Sequence, residues 1–220
     1  MFYSIAIDGP AGSGKSTVAK EVAKSLNYTY IDTGAMYRAI TLKALNLGIY
    51  NLAIEENYTF IEDTKLEFRN NLMFMDGVDV SKEIRTEKVV KNVSLVSSLK
   101  YVRDKLVLMQ REMAKSDNVI MDGRDIGTNV LPNATLKIFL SAAIDVRALR
   151  RYYELKESGS DVTYDDTIVD IIRRDNFDSN RLHNPLRKAD DAVELDTSLY
   201  TVEEVRDNII KIFKELIRNE

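Results

Sequence analysis

The chain has 220 residues, 45% of them hydrophobic, so one globular unit with a sizeable core is expected. Lys and Arg total 31 against 35 Asp and Glu, and a net charge of -4 offers no general basic surface for a nucleic-acid polymer. The absence of cysteine excludes disulfides and thiolate chemistry, and a single histidine, His183, disfavours a transition-metal site. Neither a signal peptide nor a membrane span is predicted, so we expect a cytoplasmic protein without a membrane partner.

The chain opens with a strand, a loop and a helix. Residues 2–7 are apolar and rich in β-branched side chains, residues 9–14 form a glycine-rich turn, and an apolar face at spacings of three and four follows from Val18 to Leu26. Short apolar runs recur between amphipathic helical stretches, and this alternation predicts a parallel sheet covered on both faces. The recurring runs lie at residues 28–31, 118–121, 136–140 and 192–195.

Two segments break this alternation. Residues 65–80 carry Asn70-Asn71 and Asp76-Gly77 as turn signals between short β-prone runs, which predicts an antiparallel hairpin insert. Residues 150–187 are highly charged with a weak apolar face, which predicts a helical, mobile lid. From Thr201 onward, a capping box and an amphipathic pattern predict a C-terminal helix.

The glycine-rich turn fits the pattern GxxxxGK[ST]. Its glycines allow successive backbone N–H groups to face phosphate oxygens, Lys15 would reach the β- and γ-phosphates, and the Ser16 hydroxyl would bind Mg²⁺. A chance glycine-rich turn is the alternative, but its position between a strand and a helix favours a nucleotide loop. The predicted ATP-binding residues are Gly9, Pro10, Ala11, Gly12, Ser13, Gly14, Lys15, Ser16 and Thr17.

The class of phosphate-loop protein is narrowed by what the sequence lacks. A GTPase is expected to carry an Asn-Lys-x-Asp motif, and this sequence has none. The sequence also has neither the length nor the basic groove of a nucleic-acid-driven ATPase. A kinase for a small acceptor therefore remains. A non-catalytic nucleotide-binding protein is the rival interpretation.

Two further motifs follow predicted strands, where α/β folds bind ligands. In the first, Thr33, Tyr37 and Arg38 favour a contact with an acceptor phosphate over a solvated helix arginine. In the second, Asp122 ends an apolar strand, where it would orient Mg²⁺ directly or through water, or merely cap the next element. Glycines on both sides of Arg124 and Asp125 favour a close approach of the backbone to a ligand.

The lid segment places basic and acidic residues on one helix face. Arg174, Asp178 and Arg181 are spaced four and three apart. A salt-bridged solvated helix is the alternative, and Arg151 and Arg173 remain open to it. Because two phosphorylated substrates crowd negative charge, an arginine-bearing lid is favoured.

Taken together, the motifs DGPAGSGKST, IDTGAMYR, EIRT, DGRDIGT and RRDNFDSNR resemble the bacterial cytidylate kinase family along nearly the whole chain. The resemblance implies the α/β fold of phosphate-loop nucleoside monophosphate kinases: a five-stranded parallel sheet flanked by helices, with a hairpin-containing monophosphate-binding insert and a helical lid. It implies ATP-dependent phosphorylation of CMP and dCMP with Mg²⁺, and we expect a monomer. The implied parts are a core (residues 1–35, 86–149 and 188–220), the insert (36–85) and the lid (150–187).

The family pattern also implies roles residue by residue. It puts CMP phosphate contacts on Arg38, Arg124 and Arg181, and cytosine contacts on Ser94, Arg103 and Asp125. A carboxylate can accept from the cytosine N4 amine, which uracil lacks. Arg174 and Asp178 match positions on the ribose side, Arg85 and Tyr37 match positions at the monophosphate pocket, and Thr33 stands where some members have Ser. The implied catalytic residues are Lys15, Arg124, Arg174 and Arg181, and the implied CMP-binding residues are Thr33, Tyr37, Arg38, Arg85, Ser94, Arg103, Arg124, Asp125, Asp178 and Arg181.

Overall fold

The computed structural model describes residues 2–157 and 159–218. The chain forms two compact units, the first from Met1–Tyr30 with Asp117–Glu220 and the second from Ile31–Ser116. The division into core, insert and lid remains a prediction, and positions 1, 158, 219 and 220 of those parts lie outside the described residues. Among the helices of the described ranges, none is both long and apolar enough to cross a membrane.

The elements alternate along most of the chain. The strands are β1 (Ser4–Asp8), β2 (Thr29–Asp32), β3 (Leu66–Arg69), β4 (Leu72–Met75), β5 (Val78–Asp79), β6 (Val119–Gly123), β7 (Leu136–Ser141) and β8 (Val193–Asp196). The α-helices are α1 (Lys15–Leu26), α2 (Thr33–Asn46), α3 (Glu87–Ser98), α4 (Lys100–Ala114), α5 (Ile144–Glu157), α6 (Tyr164–Asn180) and α7 (Val202–Arg218). Short 3-10 helices span Glu55–Asp63 and Glu83–Arg85, and a π-helical turn spans Ile126–Val130.

Five strands form one parallel sheet in the order β2-β6-β1-β7-β8. The central strand β1 pairs in parallel with β6, where Ile7 faces Asp122, and with β7, where Ile7 faces Ile138. Every residue of β6 is buried, as is nearly all of β1, which is typical of strands covered on both faces. All five strands predicted from apolar runs are confirmed, with ends shifted by one or two residues.

The core of the first unit lies between the sheet and the helices α1 and α7. The predicted apolar face of α1 is buried, and Phe213 of α7 makes edge-to-face contacts with Tyr3 and Tyr28, with ring centroids 5.7 and 5.9 Å apart. The capping box at Thr201 is formed: the N–H of Thr201 donates to Glu204 Oε2 at 2.8 Å, and the N–H of Glu204 donates to Thr201 Oγ1 at 3.2 Å. The predicted C-terminal helix is therefore confirmed.

The charged segment predicted as a lid contains α6 and most of α5. The two helices are joined through Gly159, whose φ of 82° is a left-handed conformation that favours glycine. A second capping box, Thr163 with Asp166, starts α6. Of the predicted apolar residues on α6, Ile171 is buried and Ile172 is exposed, which agrees with a weak apolar face.

The second unit contains a small antiparallel sheet in the order β3-β4-β5. Asn70 and Asn71 have φ of 51° and 63°, and Asp76 and Gly77 have φ of 52° and 83°. Two consecutive left-handed residues match the twist of a two-residue hairpin turn, and Asn, Asp and Gly are the residues that adopt them most easily. The predicted hairpin is confirmed, and the second turn adds a third strand to it.

Candidate active site

The phosphate loop leaves the sheet at the carboxyl end of β1 and enters α1 at Lys15. A Cβ on Gly9 would lie 2.1 Å from the carbonyl oxygen of Leu140, and one on Gly12 would lie 2.8 Å from that of Arg147. Gly12 also has a φ of 73°. No larger side chain fits these two positions, so the turn requires its glycines for packing as well as for backbone conformation. The predicted strand, loop and helix arrangement is confirmed.

Lys15 is buried within the loop that precedes it. Its Nζ donates to the carbonyl oxygen of Pro10 at 2.9 Å, and only 5% of the residue is exposed. Burial, together with the positive charge of Arg124, lowers the pKa of Lys15 to about 7. A bound phosphate would stabilise the charged form of Lys15, because its negative oxygens would offset both the burial and the repulsion from Arg124.

Two oxygen-bearing side chains meet at the start of α1. The Ser16 hydroxyl donates to Asp122 Oδ2 at 2.6 Å, and the Tyr30 hydroxyl donates to Asp122 Oδ1 at 2.7 Å. Asp122 is 3% exposed and is the second-last residue of the fully buried strand β6. A serine oxygen and a carboxylate fit the hard-oxygen preference of Mg²⁺, which keeps several waters and takes its other ligands from phosphates. The predicted pair of Ser16 and Asp122 is thus brought together.

The loop after β6 is paired with α6 and the residues that follow it. Arg124 Nε donates to Asp178 Oδ2 at 2.8 Å, and Arg181 Nη2 donates to Asp125 Oδ1 at 2.9 Å. Burial alone would raise the pKa of Asp178, but Arg124, with smaller effects from Arg181 and Arg174, lowers it. Four of the residues predicted from two distant motifs therefore form one charged cluster within the first unit.

Arg174 differs from the other arginines of the lid segment. Its Nε is buried without a hydrogen-bond partner, and within residues 2–157 and 159–218 its guanidinium makes no ion pair. Burial, with the repulsion of Arg124, lowers the pKa of Arg174 to about 10. Arg173 pairs with Asp170 at 2.7 Å in a largely exposed ion pair, whereas Arg151 pairs with Glu154 at 2.8 Å and is only partly exposed, with its Nε buried without a hydrogen-bond partner. The solvated interpretation fits Arg173 and only the ion-paired end of Arg151, whereas Arg174 is a cation held near Arg124 and Lys15.

In the second unit, two predicted arginines converge on one carboxylate. Asp32 caps α2 by accepting from the N–H of Ala35 at 2.8 Å, and its Oδ2 lies 3.0 Å from Arg38 Nη2 and 3.9 Å from Arg85 Nη2. Asp32 was missed as a functional candidate, although its place before a helix start is a recognisable capping signal. It fixes the direction of Arg38, whose Nε is buried without a hydrogen-bond partner.

The remaining predicted residues of the second unit lie on α2, α3 and α4. The guanidinium of Arg103 lies 5.6 Å from the ring centroid of Tyr37, and its Nη1 donates to the carbonyl oxygen of Ser97 at 3.1 Å. Arg103 is 1% exposed, an unusual burial for an arginine. Thr33 opens α2, and Ser94 lies on α3, where its carbonyl oxygen accepts from the Ser97 hydroxyl at 3.0 Å.

A second buried carboxylate, Asp8, was also missed. Asp8 ends β1 and accepts from the N–H groups of Ile126 at 2.8 Å and Gly127 at 2.7 Å, which fixes the π-helical turn that directly follows Asp125. Burial raises the pKa of Asp8 to about 6, although both hydrogen bonds act to lower it. Its place at the end of a strand, immediately before the phosphate loop, is visible in the sequence, but its backbone partners 118 and 119 positions further on are not.

The raised pKa of Asp8 gives a prediction about stability. Between its ordinary pKa of 3.8 and about 6, the folded state retains a proton that the unfolded state has lost, so this group's stabilising contribution falls as the pH rises through that window. Two pKa units correspond to about 3 kcal/mol. Asp8→Asn lacks this titration, and its free energy of unfolding should rise relative to that of the parent chain by this amount between pH 4 and pH 7. Urea unfolding of both proteins at a series of pH values measures the difference, and parallel curves would contradict the assignment.

The fold and the loop together define a class of protein. A parallel sheet whose first strand enters a GxxxxGK[ST] loop, with a buried lysine and a Ser–Asp oxygen pair, is the architecture of a phosphate-loop protein that binds a nucleoside triphosphate. A family profile described as Cytidylate kinase matches residues 5–215. The chain belongs to the cytidylate kinase family, and its enzyme class is nucleoside monophosphate kinase.

Individual relatives support the family over the full length. The chain is 51% identical over 216 residues to a cytidylate kinase of Alkaliphilus oremlandii, covering 97% of this chain and 98% of the relative. It is 49% identical over 220 residues to one of Clostridium tetani, covering 100% and 97%. The crystal structure of an uncharacterized protein from Eubacterium ventriosum matches with a TM-score of 0.52 at 14% identity, covering 96% and 98%, which shows a shared fold only. The family resemblance seen in the motifs is confirmed.

Proposed function

We propose that this chain transfers the γ-phosphoryl group of ATP to CMP and dCMP, forming CDP and dCDP. The observation that carries the proposal is the full-length match to cytidylate kinases at about half identity. The site supports it chemically, because the first unit holds a buried phosphate-loop lysine and the carboxylate Asp125 within one charged cluster. The cytoplasmic location and the monomeric state remain predictions, and the core, insert and lid remain our proposed division.

On the donor side, the loop residues Gly9 to Thr17 would bind the triphosphate through backbone N–H groups, with Lys15 at its β- and γ-phosphates. Ser16 and Asp122 are the residues that would hold Mg²⁺, Asp122 directly or through water. The ion would supply positive charge that offsets the negative charge of the donor phosphates. Lys15, Arg124 and Arg174 would supply the remaining positive charge, and all three belong to the first unit.

On the acceptor side, the assignments follow the family motifs. Arg38, Arg124 and Arg181 would bind the CMP phosphate, and the pairing of each with a carboxylate supports this by fixing its guanidinium. Ser94, Arg103 and Asp125 would recognise cytosine, with Asp125 accepting from the N4 amine. Asp178 and Arg174 would reach the ribose side. Thr33, Tyr37 and Arg85 complete the proposed CMP-binding residues.

The proposed transfer needs no general base. The second pKa of a phosphate monoester is about 6, so the attacking oxygen is already ionised at neutral pH. What remains for the protein is alignment of the two phosphates and neutralisation of the charge on the group in transit. Buried cations serve this purpose well, because they need little rearrangement as the reaction proceeds.

The proposal is tested by a panel of acceptors. Purified protein is assayed for ADP release with ATP, Mg²⁺ and each of CMP, dCMP, UMP, AMP and GMP. We expect kcat/KM to be highest for CMP and dCMP. A higher value for another monophosphate would replace the proposed acceptor, and ATP binding without turnover of any acceptor would favour the non-catalytic rival.

Asp125 allows a sharper test of base recognition. Asp125→Asn should lower the ratio of kcat/KM for CMP to that for UMP by at least about tenfold, because an amide can donate to the uracil carbonyl where the carboxylate can only accept. The matched control is Asp190→Asn, an exposed aspartate of the same unit. An unchanged ratio in Asp125→Asn, with normal folding by circular dichroism, would remove Asp125 from cytosine recognition.

A further inference from the structure

Both backbone polar groups of one phosphate-loop residue, Ala11, are hydrogen-bonded to side chains from α5 and α6. Its N–H donates to Asp175 Oδ1 at 3.1 Å, and its carbonyl oxygen accepts from Arg147 Nη1 at 2.9 Å. Arg147 and Asp175 also form a short ion pair with each other. We call Arg147 and Asp175 the loop clamp. Arg147 lies outside the family motifs from which the site was predicted, and Asp175 lies within one of them, RRDNFDSNR, but was assigned no role there.

The two halves of the loop clamp differ in how firmly they are attached. Arg147 is 7% exposed, its Nε donates to the carbonyl oxygen of Ala142 at 2.9 Å, and its own carbonyl oxygen lies against Gly12. Arg147 is therefore part of the wall behind the loop. Asp175 reaches the loop from α6 through its carboxylate alone, so it is the half that determines where α6 meets the phosphate loop.

The clamp acts on the peptide group that also holds Lys15. The carbonyl of Pro10, which accepts from Lys15 Nζ, and the N–H of Ala11, which donates to Asp175, belong to one planar trans peptide. In such a group the C=O and N–H bonds point in opposite directions. When Asp175 accepts from this N–H, it fixes the direction in which the Pro10 carbonyl meets the lysine.

The neighbour of Asp175 on α6 is Arg174, the half-buried arginine whose Nε is buried and which makes no ion pair in the described part of the chain. Successive side chains on an α-helix are separated by a fixed rotation. Anchoring Asp175 to Ala11 therefore sets both the depth and the rotation of α6 at Arg174. The carboxylate of Asp175 is therefore connected to both cations. It bonds the peptide group that holds Lys15, and it follows Arg174 directly on α6.

We propose that Asp175 is a positioning residue for phosphoryl transfer: the loop clamp docks α6 on the phosphate loop and aligns Arg174 and Lys15 for the donor triphosphate. This inference rests on the proposed kinase function. It goes beyond the family motifs, because it assigns to the lid helix a direct attachment to the donor loop. Asp175 touches no reacting atom and acts through its two cationic neighbours.

The test separates donor from acceptor effects. Loss of a hydrogen bond to a charged group is expected to weaken ATP binding by about 10- to 100-fold in Asp175→Ala. Calorimetric titration with ATP and Mg²⁺ should show this change, while the Kd for CMP should rise by a clearly smaller factor, because Arg174 alone of the two cations is also placed at the acceptor ribose. The matched control is Asp165→Ala, an exposed aspartate near the start of the same helix, and it should leave both Kd values unchanged.

A double-mutant cycle tests whether Asp175 acts through Arg174. If it does, adding Asp175→Ala to Arg174→Met should lower kcat by much less than Asp175→Ala does alone. Full additivity, or equal weakening of ATP and CMP binding, would overturn the proposal. Should Asp175→Ala be too unstable to assay, Asp175→Asn keeps the size of the side chain, weakens the pair with Arg147 and should show the same selective loss in milder form. If the parent chain binds ATP but does not phosphorylate CMP, the proposed function fails, while the ATP titration still decides the clamp.

Discussion

Lys15→Ala should lower kcat for the phosphorylation of CMP by at least about a thousandfold, because the enzyme loses a fixed cation at the oxygens where charge develops. The buried setting makes the effect large. Lys15 donates to the Pro10 carbonyl and is almost fully buried, and water in its place would not supply a positive charge. The variant should still fold, because burial and Arg124 already disfavour the charged form of this lysine.

The measurement is steady-state ADP release with CMP at saturation, accompanied by a thermal melt of each protein. Lys24→Ala is the matched control, since Lys24 is an exposed lysine in the last turn of the same helix. Its kcat should remain within about twofold of the parent value, as expected for a surface substitution. Near-normal turnover by Lys15→Ala would contradict the assignment of the phosphate loop.

Local sequence patterns predict much of this fold. The strands could be predicted because apolar runs of four to six residues alternate with helical spacing, and the hairpin because Asn and Asp-Gly adopt left-handed turns. The phosphate loop could be predicted because its function is performed by the backbone, whose path a short run of glycines dictates. Each of these signals acts between residues close in the chain.

The supporting carboxylates could not be predicted in the same way. Asp8 accepts hydrogen bonds from backbone N–H groups that follow it in the chain by 118 and 119 positions. Asp175 accepts one from a loop residue that precedes it by 164 positions. An aspartate that accepts a distant backbone N–H has the same local sequence as one exposed to solvent. Only the folded chain distinguishes Asp175, which holds the phosphate loop, from Asp170, which pairs with an exposed arginine on the same helix.

The same contrast applies to the lid arginines, where spacing alone left two interpretations open. Arg173 and Arg174 are adjacent in an unbroken helix and chemically identical, yet Arg173 forms an exposed ion pair, whereas Arg174 is half-buried, with a buried Nε and no ion pair within the described residues. Their burial on α6 resolves what the sequence could not. It also makes them a matched pair for experiment.

Arg174→Met should lower kcat by about 100- to 1,000-fold, a loss typical of removing one fixed group that stabilises charge in the transition state. The free energy of unfolding should stay level or rise, because methionine fills a similar volume without the cost of burying an uncompensated cation. The lowered pKa of Arg174, to about 10, shows the direction of that cost. Arg173→Met should change neither kcat nor stability appreciably, since exposed ion pairs contribute little.

The decisive result is that kcat of Arg174→Met falls while its free energy of unfolding stays level or rises. Steady-state kinetics and urea unfolding on the same preparations measure the two quantities. A structural arginine would lose both together, and a solvated one would lose neither. A buried cation that costs stability is retained only where a ligand compensates for it, and a polyphosphate does so with several negative oxygens at once. For this reason ATP should raise the melting temperature of the parent chain by more than that of Arg174→Met, whereas the two increments should be equal if Arg174 does not contact the donor phosphates.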